Sequence, residues 1–287
     1  MYKTVFLILI LTFTVSCQDF GNLKILASLP NHTDEVSGIE VFSNSTVLWM
    51  VQDSGNKPLV YGFNTKSGKA DREIKINNAK NKDWEDLASD GKNTLYIGDF
   101  GNNNNKRKDL TIYTIIDVLN NNNSAVNAIK TNFYFEDQKD FPPKKKHRNF
   151  DVEAFIYLNN NFYLFTRNRA RDFDGTTKVY KVPASEGNYA AKLIAEYKTC
   201  DKTKDCAITS ASIDHKTGKI ALLSNSTVWI LTDYSQDNFF NGKIETIPLN
   251  YRSQLESISF KDSNTLWLVD ERYSFKGGNL YELSLNN

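Results

Sequence analysis

Five residues with hard oxygen donors recur at one register of the chain: Ser37, Glu85, Glu153, Thr209 and Glu256. Each is followed two positions later by an apolar residue, Ile39, Leu87, Phe155, Ala211 and Ile258 in turn. The intervals are 48 residues (37 to 85), 68 (85 to 153), 56 (153 to 209) and 47 (209 to 256). Three carboxylates and two hydroxyls brought to one place make an oxygen-only set of the kind that Ca²⁺ takes. Confining three carboxylates without a counter-charge is costly, so a Ca²⁺ ion is expected among them. Bridging water or basic side chains are the competing ways to balance the charge.

A second group follows some fifteen residues after most of these positions. It comprises Asp53-Ser54-Gly55, Asp99-Phe100-Gly101-Asn102, Thr166-Arg167-Asn168 with Arg169 and Arg171, and Asp270-Glu271-Arg272. Read as chemistry, Asp53, Asp99 and Asp270 would position a metal-bound water, and Arg167, Arg169 and Arg272 would hold an anion. Read as structure, the same residues cap strands at turns. The basic run Phe141–Phe150 (FPPKKKHRNF) is either a solvated loop or an anion-facing loop over the same place. The chain has no nucleophile elbow, P-loop, CxxC or HExxH, and its three His stand far apart in sequence.

The recurring residues open five similar stretches. These are VSGIEVFSNSTVLWMVQD, DWEDLASDGKNTLYIGDFG, VEAFIYLNNNFYLFTRN, ITSASIDHKTGKIALLSN and LESISFKDSNTLWLVDE. Each reads as strand, turn, strand, and further strand-like runs follow each copy. Repeats of about 40–50 residues built only from strands indicate propeller blades of four strands, the innermost lining the axis. The last copy supplies three strands, Leu255–Phe260, Thr265–Val269 and Asn279–Leu285, and then the sequence ends. The run Leu23–Leu29 has no partner of its own and is expected to fill the missing outer position. The fold expected is therefore an all-β, five-bladed β-propeller closed by the N-terminal strand. A six-bladed ring is the alternative, and it needs another copy between Gly101 and Asp151, where no repeat opens.

At 287 residues with 40% apolar content and a net charge of +1, one propeller domain over 22–287 uses the length, and no whole-chain pull toward nucleic acid exists. Ahead of it, Lys3 and the apolar Val5–Val15 lead to Thr14-Val15-Ser16-Cys17, a bacterial lipobox pattern. Residues 1–17 are thus expected to be a signal peptide, Cys17 the acylated first mature residue, and 18–21 a tether. A monomer is expected, lipid-anchored in the cell envelope, with a secreted soluble form as the alternative. Cys200 and Cys206 remain as an even pair and are expected to form a disulfide in an oxidising compartment.

The order of residues at the blade starts resembles the calcium-activated apyrases (soluble calcium-activated nucleotidases). The motifs concerned are SGIEVF at Ser37, WEDLASDGKNTLYIG at Glu85, VEAFIY at Glu153, TSASI at Thr209 and LESISF at Glu256. The resemblance implies a five-bladed propeller with one axial Ca²⁺ ringed by those five positions. Where the family has Asp-Asp-Arg-Thr-Gly, this chain has Gln52-Asp53-Ser54-Gly55. Where it has Gly-Lys-Glu-Trp, this chain has Gly101-Asn102-Asn103-Asn104, without the acid. Its Pro-Arg-Arg run becomes Thr166-Arg167-Asn168-Arg169. Scaffold and ion site carry over better than nucleotide hydrolysis. The chain is also similar to uncharacterised exported bacterial propellers with the WEDLA…GDFGNN pattern. The expectation is an exported propeller with an axial Ca²⁺ that binds a small anionic ligand or an envelope component at its loop face. A calcium-dependent phosphohydrolase is the alternative.

Overall fold

The structure, a computed structural model, describes residues 18–43, 45–200, 204–274 and 276–286. Residues 1–17, on which the expected signal peptide and the acylated Cys17 fall, lie outside the described residues. After β1 (Lys24–Ser28) come β2 (Val36–Val41), β3 (Val47–Gln52), β4 (Leu59–Asn64) and β5 (Lys69–Ile76), which form blade one. Blade two holds β6 (Trp84–Ser89), β7 (Leu95–Asp99) and β8 (Leu110–Ile115); then, past the two-residue β9 (Ala125–Val126), β10 (Ile129–Phe135) completes it. Blade three is β11 (Asp151–Leu158), β12 (Asn161–Arg167), β13 (Thr176–Pro183) and β14 (Gly187–Lys198). Blade four is β15 (Ser210–Ile213), β16 (Ile220–Leu223), β17 (Thr227–Thr232) and β18 (Lys243–Pro248). Blade five is β19 (Leu255–Asp262), β20 (Thr265–Asp270) and β21 (Asn279–Ser284), with β1 as its outer strand. Lys24 lies opposite Glu282 and Ser28 opposite Asn279 in that antiparallel pair. The all-β propeller closed by its N-terminal strand is therefore what the chain folds into. The stretch between Gly101 and Asp151 holds the third and outer strands of blade two with the short β9, and no further inner strand among the described residues.

Burial follows position in the blade. Every residue of β2 and β6 is buried, whereas β5 and β18 alternate between half-buried and exposed positions along most of their length. An inner strand is packed on both faces by the neighbouring blades, and an outer strand has one face in water. Apolar clusters fill all five gaps between blades. The last of these sets Trp267, Val269 and Leu280 of blade five against Val36, Ile39 and Met50 of blade one, closing the ring. Successive inner strands β2, β6, β11, β15 and β19 pack side by side, and β19 returns to β2.

Two outer edges are covered in ways the sequence did not announce. β10 pairs in parallel with β14, so blades two and three share one eight-stranded sheet. β9 runs parallel to the edge of β5, and Arg72 of β5 donates to the Val118 and Asn121 carbonyls behind it. The Asn-rich turn at 120–123 thus belongs to an edge cover, which protects a strand that would otherwise offer unpaired backbone groups.

At mid-depth the axis is filled by a polar hub. Asp86 is fully buried and accepts from the hydroxyls of Ser210 (3.0 Å) and Ser257 (3.1 Å) and the backbone N–H groups of Leu87, Phe155 and Ala211. Ser257 in turn accepts from the Ile39 N–H at 2.8 Å, and Ser210 from that of Ile258 at 3.2 Å. Inner strands have a free edge at the axis, and these side chains satisfy its buried donors.

Candidate functional site

The recurring residues owe their direction to a defect repeated in the sheets. Val36 pairs with Gln52 and Gly38 with Val51, leaving Ser37 as an extra residue in β2. The same irregularity leaves Glu85 over in β6, Glu153 in β11 and Glu256 in β19. A bulged residue is released from the ladder and its side chain is re-aimed. These four line one axial cavity of about 220 Å³. Thr209 precedes β15, shows no such bulge, and is not among the residues lining the cavity.

The two hydroxyls of the column are engaged as staples. Ser37 donates to the Trp84 carbonyl at 2.7 Å, and Thr209 to the Leu255 carbonyl at 2.8 Å. In each case the acceptor is the residue just before the next blade's bulged glutamate. The five positions therefore do not form one ring of equivalent ligands: two hydroxyls tie blades together, and the glutamates face the cavity.

Charge is distributed unevenly. Glu35, Asp53, Glu85, Glu153, Glu256 and Glu271 line the cavity against only Arg167 and Arg169. Both arginines were expected to hold an anionic ligand, and both instead pair with acids of β11. Arg167 Nη1 lies 3.0 Å from Glu153, while Arg169 reaches Asp151 through Nε and Glu153 through Nη2, each at 2.5 Å. Burial pushes the Glu153 carboxyl up, but Arg167 and Arg169 outweigh it and hold the group below its ordinary value. Asp151, also fully buried, is pushed up to about 8 by burial and by Glu153, against the pull of Arg169. Burial and then Glu153 raise Glu256 to about 7.

Glu85 meets no such partner: it is 8% exposed, and no hydrogen bond or ion pair reaches its carboxylate among the described residues. Burial, followed by the charges of Glu153, Asp53, Asp151 and Asp83, drives it well above the carboxylate range. Beside it, Asp83 is raised to about 6 by burial and by Asp53, and burial raises Asp53 as well. Gly101 makes room for this group, since a Cβ there would fall 1.9 Å from Glu85 Oε1 and 2.6 Å from Asp83 Oδ2.

The remaining expected residues lie elsewhere. Asp99, 1% exposed, accepts from Arg107 at 2.9 Å and from the Asp83 N–H at 3.1 Å. It holds the backbone of Asp83 and does not enter the cavity. Asp270 accepts from the Tyr281 hydroxyl at 2.8 Å and the Asn279 N–H at 2.9 Å, as a strand-end cap does. Arg272 pairs with Asp34 at 2.7 Å and donates to the Leu29 carbonyl. Of the three aspartates expected to share a water, only Asp53 lines the cavity. Their common place in the repeats put them at one end of the blades, but the bulge turns the inner column inward and leaves the strand ends pointing back into their own blades.

The basic loop does not cover the axis either. None of its lysines lines the axial cavity; Lys144 and Lys146 border a separate surface cleft together with Asp137, Asp140, Asp172 and Asp174. Its backbone braces the arginine segment: Arg169 N–H donates to the Arg148 carbonyl at 2.9 Å, and Arg171 N–H to that of Lys145 at 3.0 Å. The Asn-rich turn at 102–108 locks onto the same loop, with Asn102 donating to the Phe150 carbonyl and Asn105 accepting from the Phe150 N–H, both at 3.0 Å. Cys200 and Cys206 are joined by a disulfide. No helix among the described residues is long and apolar enough to cross a membrane.

Sequence reasoning missed Asp83, Asp151 and Asp86. The first two lie two residues before a recurring glutamate, and Asp86 directly follows one. Such spacing is visible in the chain, where three of the five copies carry the preceding acid: Glu35, Asp83 and Asp151.

No protein-family model matches the chain, and no curated protein matches it. Among solved structures it is similar to the nidogen/laminin complex, at 9% identity over 83% of this chain and 73% of that one, with a TM-score of 0.48. It is similar to the PQQ-bound aldose sugar dehydrogenase of Streptomyces coelicolor, at 11% identity over 92% and 98% of the two chains and a TM-score of 0.49. A third likeness is to the hydrazine synthase of Kuenenia stuttgartiensis, at 11% identity over 87% and 71%, with a TM-score of 0.46. No activity follows from likenesses of this degree.

Proposed function

We propose that this chain is a cation-dependent binding propeller of the cell envelope, exported and held by a lipid on Cys17. Its axial cavity takes one Ca²⁺, and the surrounding loop face recognises a small anionic ligand or an envelope partner. The observation that carries this reading is Glu85: a carboxylate more than nine-tenths buried, without a partner, facing further acids in a cradle opened by Gly101. Removing a charge from water at such a place is costly unless an opposite charge meets it. The donors are all hard oxygens, which suits Ca²⁺. An anion would be drawn to this face through the ion, because Arg167 and Arg169 are already engaged by Glu153 and Asp151.

Binding is favoured over hydrolysis because the residues that would position water are already engaged: Asp99 by Arg107 and Asp270 by Tyr281. A calcium-dependent phosphohydrolase is the second reading, supported by the apyrase-like blade openings alone. Calorimetric titration of the full chain with Ca²⁺ is expected to give one site, lost in Glu85→Gln. A titration without heat, together with a melting curve indifferent to Ca²⁺, would remove the cation from the account. Calcium-dependent release of phosphate from a nucleoside diphosphate would instead establish the second reading. Cys17→Ala is expected to release the protein from the membrane fraction, and unchanged detergent partitioning would rule out the anchor.

A further inference from the structure

We infer that the cation site lies between blades one and two, on Asp53, Asp83 and Glu85, and that Arg169 serves as a built-in cation in the acid set next to it. This rests on the proposed cation-binding reading and specifies where the ion sits. Two groups of acids have ligand atoms that all lie within 4.8 Å of one another: Asp53 with Asp83 and Glu85, and Glu85 with Asp151 and Glu153. Glu256, the fifth member of the recurring column, belongs to neither.

The second group already contains positive charge. Arg169 spans Asp151 and Glu153, and Arg167 adds a further contact to Glu153. A guanidinium there does electrostatically what a dication would do, with fixed fork geometry. The first group has no such partner. Lys82 pairs with Asp109, and Arg107 divides its guanidinium between Asp99, Asp109 and the Gly101 carbonyl. The unpartnered, buried Glu85 is the independent sign that a charge is missing on this side.

The frame of the first group is also built. Asn81 donates to the carbonyls of Gln52 (2.7 Å) and Asp53 (2.9 Å) and accepts from the Trp84 N–H at 3.2 Å, which spans the gap between the blades. Asp99 fixes the Asp83 backbone, and the missing side chain at Gly101 leaves space for both carboxylates. Three carboxylates at this separation suit an ion with oxygen ligands at about 2.3–2.6 Å, whose remaining positions take water or the oxygens of a ligand.

Titration of the full chain with Ca²⁺ alone tests this. Asp83→Asn is expected to weaken binding at least about tenfold, and Glu256→Gln by less than about threefold. Arg169→Met is expected to raise the stoichiometry from one ion to two, because it frees Asp151 and the Glu153 oxygen that Arg167 does not hold. Should that variant unfold without ion, recovery of its fold by millimolar Ca²⁺ supports the same role for Arg169. Equal weakening by Glu256→Gln and Asp83→Asn would put the ion on the axis and overturn the inference while leaving calcium binding intact. A single ion in Arg169→Met would overturn the role given to Arg169. Absence of binding by the unaltered chain would overturn the parent reading.

Discussion

Arg169 Nη2 lies 2.5 Å from Glu153 Oε1, and both residues line the axial cavity. Glu153 also receives Arg167 at 3.0 Å and is only 4% exposed. Removing one partner of a buried pair strands the other, at about 3–5 kcal/mol. Glu153→Gln is therefore expected to lower stability by about that much in urea unfolding, and by the same amount with Ca²⁺ or with chelator. A loss below about 1 kcal/mol would show that the two guanidinia find other partners.

Chelation should act on the unaltered protein. Ligand at about a hundred times its dissociation constant stabilises a fold by about 2.7 kcal/mol, and for a domain of this size that is about 5–10 °C in melting temperature. Adding chelator is expected to lower the melting point by that much, and Ca²⁺ to restore it. Glu85→Gln should respond to neither.

Asp86 is expected to be a structural keystone with no part in ligand binding. It joins blades two, three, four and five through Phe155, Ala211, Ser210 and Ser257. Asp86→Ala leaves buried N–H and hydroxyl donors without an acceptor, each costing about 1–3 kcal/mol. A drop of at least about 3 kcal/mol in the urea-derived stability is the outcome expected, and a change within about 1 kcal/mol would contradict it.

Glu40 sets a pH dependence at the opposite mouth of the axis. It is 8% exposed, accepts from Ser89 at 2.8 Å and Ser259 at 3.4 Å, and is raised to about 8, chiefly by burial. Since the folded state holds this proton more tightly than the unfolded chain, its contribution is fully present below about pH 4.5. It is lost as pH rises through about 8. The span corresponds to at most about 4–5 kcal/mol. Asp214, His215, Lys216, Lys261 and Asp262 share the mouth, so the comparison must be internal. Glu40→Gln should flatten the stability curve between about pH 5 and 8 relative to the unaltered chain, and parallel curves would refute the assignment.

Deleting residues 18–28 removes β1 and bares the length of β21. Loss of a whole outer strand, with the packing of Leu26 and Ala27 against the cluster that holds Leu29 and Leu280, is expected to give a less stable, aggregation-prone protein, visible by light scattering. A truncated chain as stable and monodisperse as the parent would mean that the closing strand is dispensable.

Local alternation and the recurrence of one short pattern were enough to read the fold. Strands, their grouping into blades and the use of Leu23–Leu29 to finish the last one follow from period-2 burial and from the need to cover an edge. The column Ser37, Glu85, Glu153 and Glu256 was visible for the same reason: a bulge at a fixed register leaves a fixed mark in every copy. What each member meets was not visible. Arg169 lies 16 residues from Glu153 within blade three, and Asp53 lies 32 residues from Glu85 across the gap between blades one and two. The packing of turns and blades, and not the spacing, decides that the first pair neutralise each other while the second face each other. The charge state of a buried carboxylate depends on neighbours within a few ångströms, and those of Glu85 come from three blades: Asp53, Asp83, and Glu153 with Asp151. So the sequence by itself determined which residues turn toward the axis, and the tertiary structure alone decided which of them find a partner there.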